Sequence, residues 1–246
     1  MLPLERLTEE PYSSIICYPR VAKLELAKRL RELQKLGVTA LEFRGKKLVS
    51  NVPVSGKGCV GIVVTAYRNR ERVALKIRRV DADRSRMQRE AGLLKKANSV
   101  NVGPTFLGAS RDFLLMQFLE GDLLPEWLAH ETRIVRVRKV LRSVLEQCWR
   151  LDQACLDHGE LSHAPKHIIV DGHGDPFIVD FETASVKRRS SNVTSICQYL
   201  FIGGVAKEVA HRLGSRGSRQ TLEALKVYKK CMSNENFKRV LKACGL

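Results

Sequence analysis

Residues 158–182 read HGELSHAPKHIIVDGHGDPFIVDFE, and this stretch decides how the rest of the chain is interpreted. Two short apolar runs, Ile168–Val170 and Phe177–Val179, flank residues 171–176, which are rich in Gly and Asp and end in Pro. Such residues let a chain turn tightly, so the pattern predicts a β-hairpin. A hairpin returns its two ends to one place, and polar residues at those ends are therefore expected to meet.

The polar residues at the hairpin ends are of types that can support chemistry. His158, Glu160 and His167 precede the hairpin, and Asp180 follows it. Two carboxylates beside a base are what metal-assisted phosphoryl transfer needs. This stretch alone is also compatible with polar residues at the open end of a hairpin that have no catalytic or metal-binding role. His163 and His167 are four residues apart, a spacing that suits zinc, but no cysteine lies close by in sequence.

Composition indicates a globular protein with anionic partners. The chain has 246 residues, enough for one large domain or two lobes, and a formal net charge of +17. That charge favours a nucleotide, RNA, a ribonucleoprotein or an acidic protein as partner. The seven cysteines are odd in number and form no CxxC pair, which argues for a reducing compartment. With no apolar run of membrane length and no signal-peptide pattern, we expect a cytoplasmic protein without membrane association.

Residues 1–50 predict a small leading unit, a helix followed by a hairpin. The helix would follow Pro19 and end at Gly37, and the hairpin would pair Ala40–Phe43 with Lys47–Val49. The expected apolar stripe of the helix consists of Val21, Leu24, Ala27, Leu30 and Leu33. This unit could be a brace packed on the next domain or an abbreviated winged helix on nucleic acid. A single helix before the hairpin favours the brace.

A glycine-rich turn, GKGCVG, occupies residues 56–61. It matches G-x-G-x-x-G, but residues 61–67 have a strand pattern, so the glycines would join two strands and not open a dinucleotide-binding helix. The next strand, Val73–Ile77, carries Lys76 in an otherwise apolar run. A buried lysine needs an anionic partner, and a phosphate over the turn and a neighbouring carboxylate would supply two.

Glu90 is the predicted carboxylate partner of Lys76. Asp81 or Asp83 would cap a helix that runs to about Asn98. The apolar stripe of that helix consists of Met87, Ala91 and Leu94. Glu90 lies on the stripe and therefore needs a cation, unless it sits at the stripe's edge in water.

The second half of the chain is predicted to be mainly helical. After a strand at residues 113–118, apolar residues at helical spacing predict one long buried-face helix. These residues are Ile134, Val137, Leu141, Val144, Cys148, Leu151 and Cys155. The same helix carries a basic row, read either as a solvated face or as a phosphate-contacting stripe: Arg133, Arg136, Arg138, Lys139 and Arg142. Short helices at about 205–213, 218–230 and 234–243 would follow, the first two separated by Gly214–Gly217.

The order of these motifs resembles the protein kinase-like fold. The glycine loop is followed by VALK at residues 73–76, the helix glutamate, HGEL at 158–161 and VDFE at 179–182. The chain looks most similar to the small archaeal predicted serine/threonine protein kinases, relatives of the Rio kinases and the KEOPS-complex kinase, over about residues 50–205.

This resemblance implies a two-lobed α+β fold. Residues 1–50 would form a short helix–hairpin extension, and residues 51–121 an N-lobe with an antiparallel sheet and one helix. Residues 122–246 would form a mainly helical C-lobe. Only about ten residues separate the VDFE motif from the next helix, so the peptide-docking platform of typical protein kinases is absent.

The resemblance also implies roles for individual residues. The backbone amides of the glycine loop would cover the ATP phosphates, through Gly56, Lys57, Gly58 and Gly61. Lys76 would hold the phosphates and pair with Glu90. The adenine pocket would use Val63, Ala74, Met116 and the backbone of Gln117 and Leu119. Asp180 would bind Mg²⁺, with His167 where the family has a metal-binding asparagine. Glu160 falls at the catalytic aspartate, and Lys166 could neutralise the transferred phosphate.

This chain departs from the family pattern in three ways. Glu160 is one methylene longer than aspartate, and it lies seven residues before His167, two more than in the family motif. An imidazole is also a poorer ligand for Mg²⁺ than an amide oxygen, so Mn²⁺ would be tolerated better. Residues 187–189 (Lys-Arg-Arg) follow the motif and are either substrate contacts or a solvated loop.

We therefore expect an ATP-dependent phosphotransferase, an atypical serine/threonine protein kinase that acts on a protein substrate or on itself. Two alternatives stay open. One is a nucleotide-binding pseudokinase that serves as an RNA or ribonucleoprotein interaction module. The other is a small-molecule kinase.

Overall fold

The computed structural model describes residues 1–213 and 219–246, and within them the chain is an α+β protein with antiparallel sheets. It divides into two compact units. Unit 1 comprises residues 1–92 and 104–118, and unit 2 comprises residues 93–103 and 119–246. The predicted separator Gly214–Gly217 lies outside the described residues. No helix of the described part is long and apolar enough to cross a membrane.

Unit 1 is built on a seven-stranded antiparallel sheet in the order β1-β2-β6-β7-β9-β8, with β5 paired to β6. Its strands are β1 (Leu2–Pro3), β2 (Val38–Glu42), β5 (Gly56–Lys57), β6 (Gly61–Arg68), β7 (Glu71–Arg78), β8 (Phe106–Ala109) and β9 (Phe113–Gln117). A separate hairpin consists of β3 (Lys47–Val49) and β4 (Val52–Val54). The helices are α1 (Tyr12–Ile16), α2 (Lys23–Lys35) and α3 (Arg84–Asn98), whose last turns fall in unit 2.

The strand register gives the two faces of this sheet different environments. Val63 is paired with Lys76, and Ala74 is paired with Met116, so these four residues share one face. Val63, Ala74 and Met116 are only half-buried there. The opposite face is completely buried, through Ile62, Val64, Leu75, Ile77 and Leu115. Those side chains form one core with residues of the first forty positions, among them Leu7, Ile15 and Leu33. The N-terminal segment is therefore packed on this sheet and also supplies two of its strands, β1 and β2, within the same compact unit.

The predicted apolar stripe of α2 was wrong in its first turn. Val21 and Leu24 are exposed by 42% and 80%, whereas Leu26, Arg29 and Leu33 are buried. The buried face was not recognisable from hydrophobicity because its central residue is an arginine. The Arg29 guanidinium donates to the carbonyls of Ile16 and Arg78 and lies 3.3 Å from Asp112 Oδ1. A buried charge needs partners of this kind.

The predicted hairpin between Ala40–Phe43 and Lys47–Val49 was also wrong. β2 pairs with β1 and β6, and β3 pairs with β4 through a turn at Ser50 and Asn51. Both turn residues have positive φ, 47° and 62°, which is the type I′ geometry that matches strand twist. Gly45 does not turn a hairpin: a Cβ there would lie 2.1 Å from the Val54 carbonyl oxygen, so glycine permits close passage of β4.

Unit 2 is mainly helical around a small antiparallel sheet, β10 (Gly121–Leu123), β11 (Ile168–Asp171) and β12 (Pro176–Ile178). Its helices are α4 (Leu124–His130), α5 (Ile134–Gln153), α6 (Asn192–Cys197), α7 (Ala206–Leu213), α8 (Arg219–Lys230) and α9 (Asn234–Ala243). Short 3₁₀ turns span Leu4–Thr8 in unit 1 and Leu161–His163 and Phe181–Thr183 in unit 2, and a π-helical turn spans Gln198–Ile202.

The long helix α5 has one buried face, as predicted. Its predicted stripe is fully buried at Val137, Leu141, Val144, Cys148 and Leu151. The stripe was wrong at both ends, because Ile134 is 39% exposed and Cys155 lies exposed beyond the helix end. Much of the basic row is paired with acids on the same segment, through Arg133–Glu131, Arg136–Glu131 and Arg142–Glu146. These pairs favour a solvated face over a phosphate-contacting stripe.

Candidate functional site

The glycine turn of unit 1 is a tight hairpin between β5 and β6. Gly56 pairs with Val63, and the Gly58 amide donates to the Gly61 carbonyl at 2.8 Å. Position 61 requires glycine because β7 passes close to it. A Cβ there would lie 2.9 Å from the Ile77 carbonyl oxygen and 3.0 Å from Lys76 Cγ. The turn therefore joins two strands, as predicted, and its last glycine touches Lys76.

Lys76 and Glu90 form the predicted buried ion pair. Lys76 Nζ lies 2.8 Å from Glu90 Oε1, with the two side chains 6% and 4% exposed. Glu90 reaches this position because α3 buries the stripe of Met87, Ala91 and Leu94. Asp83 caps the helix by accepting the Ser85 amide at 2.9 Å. Lys76 shares its sheet face with Val63, Ala74 and Met116, so this face combines a buried cation with half-buried apolar surface.

The other residues assigned to nucleotide binding vary in their surroundings. Lys57 is exposed, with its ammonium 5.0 Å from the centre of the Tyr18 ring. The Gln117 amide donates to the Thr105 carbonyl at 2.8 Å. Leu119 is half-buried and belongs to unit 2, whereas the sheet belongs to unit 1.

In unit 2 the hairpin of β11 and β12 forms as predicted and brings its ends together. Ile168 pairs with Ile178, and the Val179 amide donates to the His167 carbonyl at 2.9 Å. The turn is held by the Asp171 carboxylate, which accepts the amides of His173 and Asp175. This pairing places Asp180 next to His167.

Glu160, His167 and Asp180 form a compact cluster. One candidate ligand atom from each residue lies within 4.8 Å of the others, the one group of three such residues found among the described residues. His167 Nε2 is 2.8 Å from Glu160 Oε2 and 3.9 Å from Asp180 Oδ2. The two acids are about one-third exposed, whereas the His167 side chain is only 2% exposed. The meeting of these three residues was predicted from the sequence.

The His167 ring is buried without the hydrogen bonds that would ordinarily stabilise it. Within the described part of the chain, neither ring nitrogen makes a hydrogen bond of good geometry, although Nε2 lies 2.8 Å from Glu160 Oε2. Burial lowers the pKa of His167, against the opposing effect of the Glu160 and Asp180 carboxylates, and Lys166 lowers it further. The net direction of this shift favours the neutral imidazole. Lys166 itself is exposed.

Asp180 adopts an uncommon backbone conformation. Its φ and ψ are 68° and 74°, in the left-handed region that residues other than glycine seldom occupy. Such strain persists only where neighbouring contacts hold it, and it concentrates at functional sites. Phe181 next in the chain is buried, with its ring 5.2 Å from that of His158.

His158 anchors the backbone just before Asp180, a role that was not predicted. Its Nε2 donates to the Val179 carbonyl at 3.0 Å, and the ring is fully buried. Burial lowers the pKa of His158 to about 4, so the ring is neutral. The His158 amide in turn donates to the side chain of Asn192, whose own nitrogen donates to the Asp152 carboxylate and the Leu156 carbonyl.

The basic segment after the VDFE motif was predicted to contact substrate or solvent. Arg188 is fixed: its Nε donates to Asp157 at 2.8 Å and its Nη2 to the Thr183 carbonyl at 2.7 Å. It covers Gly159, where a Cβ would lie 2.5 Å from Arg188 Nη2. Arg189 donates to the Lys229 carbonyl, and Lys187 is exposed. The Arg188 side chain is 50% exposed. It lies against Gly159, the residue that precedes Glu160.

No family model matches the chain, and no curated protein matches it significantly.

Proposed function

We propose that this protein is an ATP-dependent phosphotransferase of the protein kinase-like fold, which transfers phosphate to serine or threonine hydroxyls of a protein, its own chain included. The observation that carries the proposal is the buried Lys76–Glu90 pair under the glycine turn. A lysine buried at an ion pair beside a turn of backbone amides suits an anionic ligand such as a polyphosphate.

Within unit 1, the sheet face of Lys76 would hold the nucleotide. The half-buried side chains of Val63, Ala74 and Met116 offer apolar surface of the kind that adenine rings contact. Lys76, oriented by Glu90, would contact the phosphates, and the backbone of the turn would approach them closely at its glycines, which carry no side chains.

Within unit 2, the Glu160–His167–Asp180 cluster would hold a divalent ion. When bound, that ion would neutralise phosphate charge. The donor set fits Mg²⁺ poorly, because this ion requires oxygen ligands in octahedral geometry and one donor here is an imidazole.

The proposed reaction is a direct phosphoryl transfer. The acceptor oxygen would form a bond to the γ-phosphorus, the bond from that phosphorus to the bridging oxygen would break, and ADP would leave. Glu160, which is about one-third exposed, would orient the hydroxyl and accept its proton.

Single-turnover incubation with γ-labelled ATP and Mn²⁺ or Mg²⁺ tests this proposal. We expect label on serine or threonine in the wild type and loss of at least a hundredfold in Asp180→Ala and Glu160→Gln. Asp175→Ala is the matched control, because this acid lies 61% exposed in the same hairpin and should leave transfer unchanged.

Bound ATP with no labelled protein and no released phosphate would contradict the proposal. That result would favour the alternative function, a nucleotide-binding interaction module on RNA or a ribonucleoprotein, which the net charge of +17 supports. RNA affinity that falls steeply with salt would then be expected.

A further inference from the structure

Tyr18, a half-buried residue between α1 and α2, has two cations over its ring. The ammonium of Lys57, in the glycine turn, lies 5.0 Å from the ring centre, and the guanidinium carbon of Arg79 lies 5.2 Å from it. Both distances are within the roughly 6 Å at which the face of an aromatic ring attracts a cation. One ring of the N-terminal segment therefore contacts both the glycine turn and the residue that follows β7.

The strand register places Lys57 on the side of the sheet opposite to the proposed nucleotide surface. Lys57 pairs with Ile62, whose side chain lies on the completely buried face. The neighbouring Gly56 pairs with Val63, which lies on the nucleotide side. Directly paired residues of antiparallel strands point to the same face. The Lys57 side chain therefore leaves the turn on the core side, where Tyr18 is packed.

Tyr18 is itself fixed to the end of β7. Its carbonyl accepts the Val80 amide at 2.8 Å, and the Arg79 amide donates to the carbonyl of Val60, within the turn, at 2.8 Å. The Arg79 guanidinium is oriented by Asp81, with distances of 3.0 Å from Nε to Oδ1 and 2.7 Å from Nη2 to Oδ2. The tyrosine ring is therefore a fixed support behind the turn.

The tip of the glycine turn is the part that gains from such a support. Lys57, Gly58 and Cys59 are exposed, and a glycine backbone has more freedom than that of any other residue. Exposed segments with few buried contacts open locally. A turn that is already held in place loses less freedom when a ligand binds. A contact from the core side holds the turn and leaves the nucleotide side unoccupied.

We infer that Tyr18 is a positioning residue for nucleotide binding: through Lys57 it holds the glycine turn from the core side, in the position from which the turn contacts the phosphates. The inference rests on the proposed function, because that function assigns the turn to the phosphates. It goes further by giving the N-terminal segment a part in nucleotide affinity. The acting group of Tyr18 is its ring and not its hydroxyl.

Hydrogen–deuterium exchange of residues 56–61 in the nucleotide-free protein tests the anchor, and equilibrium dialysis against labelled ATP tests its consequence. We expect Tyr18→Leu and Lys57→Met to lower the protection of the turn amides and to raise the Kd for ATP, each by about two- to fivefold, as loss of a partly exposed cation–π contact would. The double variant should show no further change, because both substitutions remove the same contact.

Two conservative variants and one matched control accompany this test. Tyr18→Phe keeps the ring and Lys57→Arg keeps the charge, so both should retain the wild-type values. Tyr12→Leu is the control, because Tyr12 is also a half-buried tyrosine of the N-terminal segment but stacks on Phe43, with ring centres 5.1 Å apart. It should leave both the turn protection and the Kd for ATP unchanged.

Unchanged turn protection in Lys57→Met would overturn the inference, and so would an equal loss of protection in Tyr18→Phe and Tyr18→Leu. Lys57 is exposed, so Lys57→Met keeps the test decisive even if Tyr18→Leu does not fold. Lower protection with unchanged ATP affinity would overturn the positioning role. Tighter ATP binding by Tyr18→Leu would also overturn it, because Tyr18 would then be keeping Lys57 away from the phosphates.

The exchange measurement contains no nucleotide, so it separates this inference from the proposed function. Loss of turn protection in variants of a protein that binds no ATP would overturn the proposed function. ATP binding by the wild type, with unchanged turn protection in the variants, would overturn the inference alone.

Discussion

Lys76 and Glu90 are mutually dependent, because each side chain is buried to more than nine-tenths and their charged atoms are 2.8 Å apart. Removing one side chain of a buried ion pair typically costs about 3–5 kcal/mol. We predict a loss of that size in the free energy of unfolding for Glu90→Ala, measured by urea denaturation.

The matched control is Glu223→Ala, whose carboxylate pairs with Arg219 at the surface and should change stability by no more than about 0.5 kcal/mol. The double variant Lys76→Met with Glu90→Leu should be more stable than Glu90→Ala. Equal stability of Glu90→Ala and the wild type would show that the pair contributes nothing to folding.

Gly61 and Gly92 should respond to the same substitution with opposite sign. A Cβ at Gly61 would lie 2.9 Å from the backbone of Ile77, which cannot move aside, whereas a Cβ at Gly92 meets nothing within 4 Å. Gly61→Ala is expected to lower stability by about 1–3 kcal/mol and to weaken ATP binding. Gly92→Ala, in an exposed helix position, should raise stability by about 0.5–1 kcal/mol. Thermal unfolding of both variants tests this prediction. Destabilisation by both substitutions would contradict the predicted opposite effects on stability.

His158 should make the folded protein sensitive to mild acid. Burial lowers its pKa from 6.5 to about 4, so between these values the unfolded chain binds more protons than the folded chain. Stability therefore falls as pH drops from about 6.5 to about 4, by up to about 3 kcal/mol from this group.

We predict that His158→Gln, which retains a donor for the Val179 carbonyl, reduces the slope of unfolding free energy against pH in this window. The lowered pKa of His167 acts in the same direction, so some slope remains. A slope identical to that of the wild type would rule out His158 as the titrating group.

The cysteines should divide into two reactivity classes. Cys59, Cys155 and Cys231 are exposed, whereas Cys17, Cys148, Cys197 and Cys244 are buried, and all seven lie within the described residues as free thiols. Burial raises the pKa of the Cys148 thiol well above its ordinary value, which further suppresses the reactive thiolate. A thiol reagent should modify three residues of the native protein rapidly and the other four only after unfolding. Rapid modification of a fourth thiol would contradict this packing.

Features governed by local pattern were predictable from the sequence. The α5 stripe, the β11–β12 hairpin and the Lys76–Glu90 pair each follow from residue periodicity or turn chemistry over short spans. The cluster of Glu160, His167 and Asp180 followed in turn, because a hairpin necessarily joins its ends.

Features that depend on long-range contacts were not predictable. Arg29 is buried because its partners are distant in sequence: Arg78 ends β7, and Asp112 lies between β8 and β9. Hydrophobicity along α2 therefore did not reveal which face of the helix is buried. Asn192 is the first residue of α6, and its side chain links Asp152 to the amide of His158. No local signal in the sequence marks such a partner.

We propose that ATP binds unit 1 at the sheet face of Lys76. Equilibrium dialysis of the wild type and Lys76→Met against labelled ATP tests it most directly, with circular dichroism to confirm that both are folded. We expect saturable ATP binding by the wild type and at least tenfold weaker binding by a folded Lys76→Met variant. Equal affinity in the two proteins, or no binding by the wild type at millimolar ATP, would contradict it.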